Sequence, residues 1–380
     1  MKKLICCFCL IISIFTLSLN VYSASAFTPS VNAKSLILME QSSGKILYEN
    51  NSHQSLPPAS VTKIMTMLLI CEAIENKEIT LDTVITASER AKSMGGSTIF
   101  LDTNEQMTLD DLLKGIAVAS ANDACVAVAE HMCGSVESFV VKMNERAAKL
   151  GMKDTNFVNC NGLDVENHYT SAYDIALMSR ELLKHEMIEK YTTIWMDSLR
   201  NGAFQLANTN KLIRFYKGAN GLKTGSTSGA GCCISATAKR DGMQLIAVSL
   251  GCANSKDRFN SARELLDYGF SNFTVTSFGE KKSKVCKVPV LYGKNDAVIA
   301  LTQSDSAVVI DKSDKEKIKI HLNLPQSLKA PIKKGKIIGE MLITLNGETL
   351  AKTNLISDKA VKKKTPADYF ISLLKGMITL

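Results

Sequence analysis

The sequence predicts an α+β chain: a domain in which a helical block interrupts an antiparallel sheet, then a small all-β domain, then an amphipathic C-terminal helix. Three observations predict it. Strand-like runs near residues 35–48 and 221–250 bracket a long stretch of helical periodicity. Beyond residue 278 the pattern turns to period two, and the last sixteen residues return to a helical period. A length of 380 residues suits two domains. Apolar residues at 46% and charged residues at 22% are ordinary globular usage, which excludes collagen-like and wholly disordered chains.

Residues 1–26 read as a secretory signal peptide. Lys2 and Lys3 precede an uncharged apolar run over 4–19, and Ala24-Ser25-Ala26 supplies small residues for cleavage before Phe27. The run is shorter than the ~20 residues that span a bilayer. The mature chain is therefore expected outside the cytoplasm. Its formal charge of +8, two units of which belong to the leader, is a modest and dispersed bias. With 6% aromatics and one Trp, it gives no platform for nucleic acid. Of the eleven cysteines, Cys6, Cys7 and Cys9 leave with the leader, and Cys71, Cys125 and Cys133 fall on helical apolar stripes. The mature chain holds no C-x-x-C and no H-x-x-x-H, so mostly free buried thiols, with one bridge possible, and no metal site are expected, and no cofactor is called for.

The first domain is expected over 27–277. Residues 35–39 and 45–48 form a hairpin around Gln41-Ser42-Ser43-Gly44. The helical block covers about 60–185, with Thr108-x-x-Asp111 and Ser171-x-x-Asp174 as capping boxes. Phe139, Met143, Ala147 and Leu150 share one face of a helix over 135–150 that Gly151 stops. Strands return after Gly221; 232–238 and 244–250 flank the turn Lys239-Arg240-Asp241-Gly242, and a helix over 261–268 closes the unit. The all-β domain is expected over 278–358. There 317–324 alternates as a half-buried strand, and Asn346-Gly347 is a tight hairpin turn. In the final segment, 359–380, Lys362-Lys363-Lys364 leads into a helix with Thr365 as N-cap, Pro366 at N1 and Asp368 at N3. Phe370, Ile371, Leu373, Leu374, Met377 and Ile378 cover one face. Such a helix lies in a membrane interface; docking on the β domain or on a partner is the alternative.

The chemistry centres on Pro57-Pro58-Ala59-Ser60-Val61-Thr62-Lys63. A helix beginning at Ser60 puts Ser60 and Lys63 on one face, a nucleophile beside a base, with free N–H groups at the helix start. Alone, S-x-x-K is weak and occurs about once or twice by chance in such a chain. The second instance, Ser42-Ser43-Gly44-Lys45, falls in the hairpin turn with no helix to fix it. Two further elements support Ser60. Ser120-Ala121-Asn122 joins two helices and can turn polar side chains into a cleft. Lys223-Thr224-Gly225 opens a strand that can pair with an extended peptide, its lysine facing a carboxylate and Gly225 keeping the wall low.

S-x-x-K, S-x-N and K-T-G in this order resemble the penicillin-recognising serine hydrolases. The chain is most similar to the low-molecular-mass penicillin-binding proteins, the D-alanyl-D-alanine carboxypeptidases of family S11. The resemblance extends over Ser93-Met94-Gly95-Gly96-Ser97, Asn161-Gly162-Leu163-Asp164, Asn208-Thr209-Asn210, the leader, the β domain and the terminal helix. It implies a β-lactamase/transpeptidase-like first domain and a serine-type D-Ala-D-Ala carboxypeptidase. Its implied partners are peptidoglycan stem peptides ending in D-Ala-D-Ala, β-lactam antibiotics and, through the last helix, the outer face of the cytoplasmic membrane. Ser60 is then the acyl nucleophile, Lys63 the general base, Ser120 a proton relay and Asn122 a ligand of the substrate amide. Lys223 and Thr224 take the terminal carboxylate, Gly225 lies between, and the N–H groups of Ser60 and Ser226 form the oxyanion hole. Position 226 is often His in such proteins and is Ser here. A class A β-lactamase needs an E-x-x-x-N motif between S-x-N and K-T-G; Glu166 has Thr170 four residues on. A transpeptidase or DD-endopeptidase would use the same residues, and a silent peptidoglycan receptor would need no base.

Overall fold

A computed structural model describes residues 27–30 and 33–371; the leader and positions 372–380 of the terminal segment lie outside the described residues. Strands β1 (Ser35–Glu40) and β2 (Ile46–Asn50) form the expected hairpin. A tight 3₁₀ turn, Ala59–Thr62, runs into helix α1 (Lys63–Glu75), which is buried on nearly every side. A small hairpin absent from the sequence reading follows: β3 (Val84–Thr86) and β4 (Gln106–Thr108), around the short α2 (Glu89–Lys92).

The Thr108 side chain accepts the Asp111 N–H and opens α3 (Leu109–Lys114). A π-turn over Gly115–Ala119 ends at Ser120, which sits in the left-handed region at φ 66°. Helices α4 (Asn122–Cys133) and α5 (Val136–Leu150) follow, with Gly151 at φ 78° as the stop. The Ser171 side chain caps α6 (Ala172–Leu182), as its capping-box pattern predicts. Then come α7 (Glu189–Thr192), a second hairpin missed in the sequence, β5 (Met196–Leu199) with β6 (Phe204–Ala207), and α8 (Leu212–Phe215).

The chain returns to the main sheet through β7 (Ala219–Thr227), β8 (Gly231–Arg240) and β9 (Met243–Cys252). The order is β2-β1-β9-β8-β7, all antiparallel, so the terminal hairpin and the three late strands make one sheet. One face packs on the helical block, where Ile37, Met39, Ile246 and Val248 join Ile64, Leu68 and Ile175. The other packs on α9 (Ser255–Asn272) through Leu38, Leu245, Leu265 and Leu266. Helix α9 begins six residues earlier than its expected start because the Asn254 side chain accepts the Asp257 N–H. Strand β7 is one edge of this sheet.

The remainder is all-β. Strands β10 (Phe273–Gly279) and β13 (Ser306–Asp311) pair with each other. The six-stranded sheet runs β14-β16-β17-β12-β11-β15, with β11 (Lys284–Leu291), β12 (Ala297–Thr302), β14 (Ile318–Asn323), β15 (Leu328–Lys329), β16 (Ile337–Leu345) and β17 (Glu348–Ser357). Asn346 and Gly347, both at positive φ, make the expected two-residue turn. Strand β14 corrects the half-buried reading of 317–324. It is an edge strand paired only to β16, and Ile320 and Leu322 remain 49% and 43% exposed. Only the flanking Ile318 and Leu324 pack against the core. At the C-terminal end, Thr365 N–H and hydroxyl donate to the Asp368 carboxylate and Asp368 N–H returns a bond to Thr365 Oγ1, so the capping box is formed. Among the described residues no single helix is long and apolar enough to cross a membrane.

Candidate active site

Ser60 lies on the 3₁₀ turn rather than on the α-helix proper. At three residues per turn, positions i and i+3 eclipse, which brings Ser60 and Lys63 together more closely than α geometry would. Lys63 Nζ is 2.9 Å from Ser60 Oγ, 2.6 Å from Asn122 Oδ1 and 2.5 Å from the Asn161 carbonyl oxygen. The lysine is 0% exposed.

The two other partners decide what Lys63 can do. The amide of Asn122 is oriented, because its Nδ2 donates to Gly95 O at 2.7 Å. Its Oδ1 and the Asn161 carbonyl therefore only accept. A neutral amine has two N–H bonds and one lone pair. In that form, both N–H bonds go to those acceptors and the lone pair is left for Ser60 Oγ. Burial pushes the Lys63 pKa down, towards that neutral form. Burial also pushes the Cys125 thiol up to about 11, and Cys160 higher still, so neither thiol next to Lys63 supplies a compensating charge.

Lys223 is likewise 0% exposed and donates to the Thr224 carbonyl at 2.9 Å. Burial first, then repulsion from Lys63, holds its pKa well below the usual lysine range. Two ammonium groups in one buried site each disfavour the other's charge.

Ser120 and Asn122 flank the junction that leads into α4, both buried. The segment Ser93–Ser97 supports it: Ser97 O accepts the Asn122 N–H at 2.7 Å, and a Cβ on Gly96 would come within 2.8 Å of Asn122 Nδ2. Thr224 Oγ1 donates to Thr209 Oγ1, and Thr209 N–H bonds Val118 O, tying β7 to the turn before Ser120. Ser226 is exposed at the mouth and touches Cys232 Sγ at 3.5 Å. Gly225 has a further reason to be glycine. A Cβ there would lie 2.8 Å from Ser60 N, so the absent side chain lets β7 pack on the nucleophile's own turn. The second S-x-x-K is pulled apart: Ser42 and Ser43 donate to Glu40, whereas Lys45 Nζ bonds Val309 O.

Three groups in the site had no role in the sequence reading. The Asn161 carbonyl holds Lys63. Gly162, at φ 89°, packs where a Cβ would be 1.9 Å from Ala59 O. Arg258, 8% exposed, donates from Nη1 to Gly225 O at 3.0 Å, which ties α9 to the strand beside Ser60. Asn254-x-x-Asp257, a capping pattern just ahead of Arg258, was the available clue.

The profile of the D-alanyl-D-alanine carboxypeptidases, peptidase family S11, matches residues 22–254, and that of the penicillin-binding protein 5 C-terminal domain matches 270–363. The D-alanyl-D-alanine carboxypeptidase DacF of Bacillus subtilis is 44% identical over 348 residues, 90% of this chain and 88% of its own. This chain belongs to the S11 D-alanyl-D-alanine carboxypeptidase family. DacC of Escherichia coli, another member, is 35% identical over 86% of this chain and 84% of its own. Among solved structures, penicillin-binding protein 5 of Haemophilus influenzae superimposes with a TM-score of 0.77 at 32% identity, covering 89% of this chain and 99% of its own. Penicillin-binding protein D2 of Listeria monocytogenes, solved in an ampicillin-bound form, covers 64% of this chain and 100% of its own, with a TM-score of 0.59 and 30% identity. The S11 membership carries the β-lactamase/transpeptidase-like fold of the first domain.

Proposed function

We infer that this chain is a serine D-Ala-D-Ala carboxypeptidase that trims peptidoglycan stem peptides and is acylated by β-lactams at Ser60. The observation that carries the reading is Lys63 Nζ, buried and 2.9 Å from Ser60 Oγ, with its other two neighbours able only to accept. Ser60 Oγ attacks the carbonyl between the two D-alanines while its proton passes to the Lys63 lone pair. The N–H groups of Ser60 and Ser226 receive the oxyanion. Ser120 hands a proton to the leaving amine, D-alanine departs, and water then cleaves the ester. Asn122 serves twice, as a clamp on Lys63 and as a ligand of the substrate amide.

Lys223 and Thr224 bind the terminal carboxylate. An arriving carboxylate favours the charged form of Lys223, and that charge in turn disfavours a charged Lys63. Substrate binding thus moves the pair's proton to Lys223 and frees the base. The division into 1–26, 27–277, 278–358 and 359–380, export by the leader, and attachment to the outer face of the cytoplasmic membrane by the last helix belong to the same reading. Supporting the attachment are Phe370 and Ile371, 63% and 52% exposed just after the Lys362-Lys363-Lys364 run.

The test is D-alanine release by residues 27–364 from a peptide ending in Lys-D-Ala-D-Ala. Steady release, lost in Ser60→Ala and after penicillin treatment, is the expected result. Release that survives Ser60→Ala would overturn the assignment.

A further inference from the structure

The loop between Asn156 and Tyr169, whose ends pair with each other, touches the Ser60 turn at several points. It supplies the Asn161 carbonyl to Lys63, packs Gly162 on Ala59, and sends Asp164 across to Thr227 and the Gly229 N–H beside β7. His168 lies in the same loop, 4% exposed, and the steps above do not use it.

Its hydrogen bonds have one consistent direction. Val158 N–H donates to His168 Nδ1 at 2.9 Å, so the proton of the neutral ring is on Nε2. That N–H faces Thr62 Oγ1 at 2.9 Å, and the Thr62 hydroxyl in turn donates to the Ala59 carbonyl oxygen at 2.9 Å. The Ala59 carbonyl and the Ser60 N–H belong to one rigid peptide plane and point in opposite directions. Ala59 is at φ 49°, a strained value for a residue with a Cβ, so this plane needs an external hold. The carbonyl side meets Thr62 and Gly162. The N–H side meets β7, where a Cβ on Gly225 would stand 2.8 Å from Ser60 N.

We propose that His168, through Thr62, is a positioning residue that fixes the Ala59–Ser60 peptide and thereby aims the Ser60 N–H into the oxyanion hole. The inference rests on the acylation of Ser60 proposed above. It gives the middle of the S-x-x-K motif a function of its own: Thr62 belongs to neither the nucleophile nor the base, yet it orients the donor that receives the negative charge. Neutral His168 suits the task, because an imidazolium would have no acceptor for the Val158 N–H. Its buried surroundings keep it neutral, with the Asp164 carboxylate the one opposing charge.

The experiment measures acylation of residues 27–364 by a fluorescent penicillin, resolving the non-covalent complex from the acylation step, with thermal unfolding alongside. Thr62→Val removes the hydroxyl, and His168→Asn can accept from Val158 but cannot reach Thr62. Both are expected to slow acylation roughly 10- to 100-fold without weakening the initial complex, less than outright removal of an oxyanion donor. Thr62→Ser and His168→Gln keep a donor at the needed place and should stay within about threefold, and the Val/Asn double variant should be no slower than the slower single one. A merely structural role would lower the unfolding temperature of all four without sorting them this way. Wild-type acylation by Thr62→Val, or losses that multiply in the double variant, would overturn the inference. If the wild-type chain takes no label, or Ser60→Ala takes it too, the underlying assignment of Ser60 fails, and this inference with it.

Discussion

Replacing Gly225 by alanine tests how closely the nucleophile's turn and the substrate strand are matched. The new Cβ would meet Ser60 N at 2.8 Å, Ala59 Cβ at 2.9 Å and Pro58 O at 3.0 Å, where ordinary contact begins at 3.4 Å. Backbone lies among those neighbours, so no rotamer change relieves the clash. Strand and turn must part by about 0.6 Å to restore ordinary contact. The two donors proposed for the oxyanion hole sit on opposite sides of this gap, Ser60 N–H on the turn and Ser226 N–H on the strand. A donor works at about 2.7–3.1 Å from the oxyanion, and losing one costs roughly 10²- to 10³-fold in rate. Stretching one by half an ångström or so is therefore worth about 10- to 100-fold, whereas the overpacking costs about 1–3 kcal/mol of stability. Gly225→Ala should thus stay folded, with an unfolding temperature lowered by several degrees, and lose acylation by fluorescent penicillin together with D-alanine release. A folded variant that acylates within about twofold of the wild type would refute the placement of the hole between positions 60 and 226.

Lys223→Gln removes the competitor for the pair's proton, so Lys63 holds a proton to higher pH; the acid limb of the acylation profile should move up, and an unchanged limb would show that the two lysines titrate separately. Burial holds His168 at about 4, against about 6.5 for a free histidine, so the unfolded chain takes up the proton first as pH falls. That part of the stability is complete above pH 6.5 and is lost as pH falls towards 4. The loss amounts to about 3 kcal/mol by linkage, and urea unfolding at pH 7, 5 and 4 should show it in the wild type but not in His168→Gln. Deleting residues 365–380 should abolish co-sedimentation with anionic lipid vesicles and leave turnover intact, and vesicle binding that persists would remove the role given to the last helix.

The parts of the fold legible in the sequence were those set by local rules. The Ser171 and Thr108 caps, the stop at Gly151 and the Asn346-Gly347 turn depend on a few neighbouring residues, and each appears where its pattern puts it. The hairpins β3–β4 and β5–β6 were not legible, because strands of three or four residues are too short for a period to show. Alternation alone could not tell that β14 is an edge, since burial of Ile320 and Leu322 depends on what lies beside the sheet. The site divides in the same way. Residue order and spacing brought out Ser60, Lys63, Ser120, Asn122 and Lys223. The Asn161 carbonyl, the left-handed Ala59 and the His168–Thr62 bond act through backbone or through contacts more than ninety residues apart in the chain, for which no local pattern exists.

The buried lysines bear on a distinction that the motifs leave open, between an enzyme that clips chain ends and one that cuts cross-links. Neither Lys63 nor Lys223 makes an ion pair among the described residues, and burial holds both below the usual lysine range. A ligand that brings a free carboxylate to Lys223 would favour the charged form there. A peptide that continues past the scissile bond as an amide does not, and would bury an amide against a lysine held in its discharged form. Under the proposed role of Lys223, the carboxylate that frees the base also sorts substrates by whether the chain ends one residue beyond the cut, so that a terminus is recognised by its charge rather than by its shape.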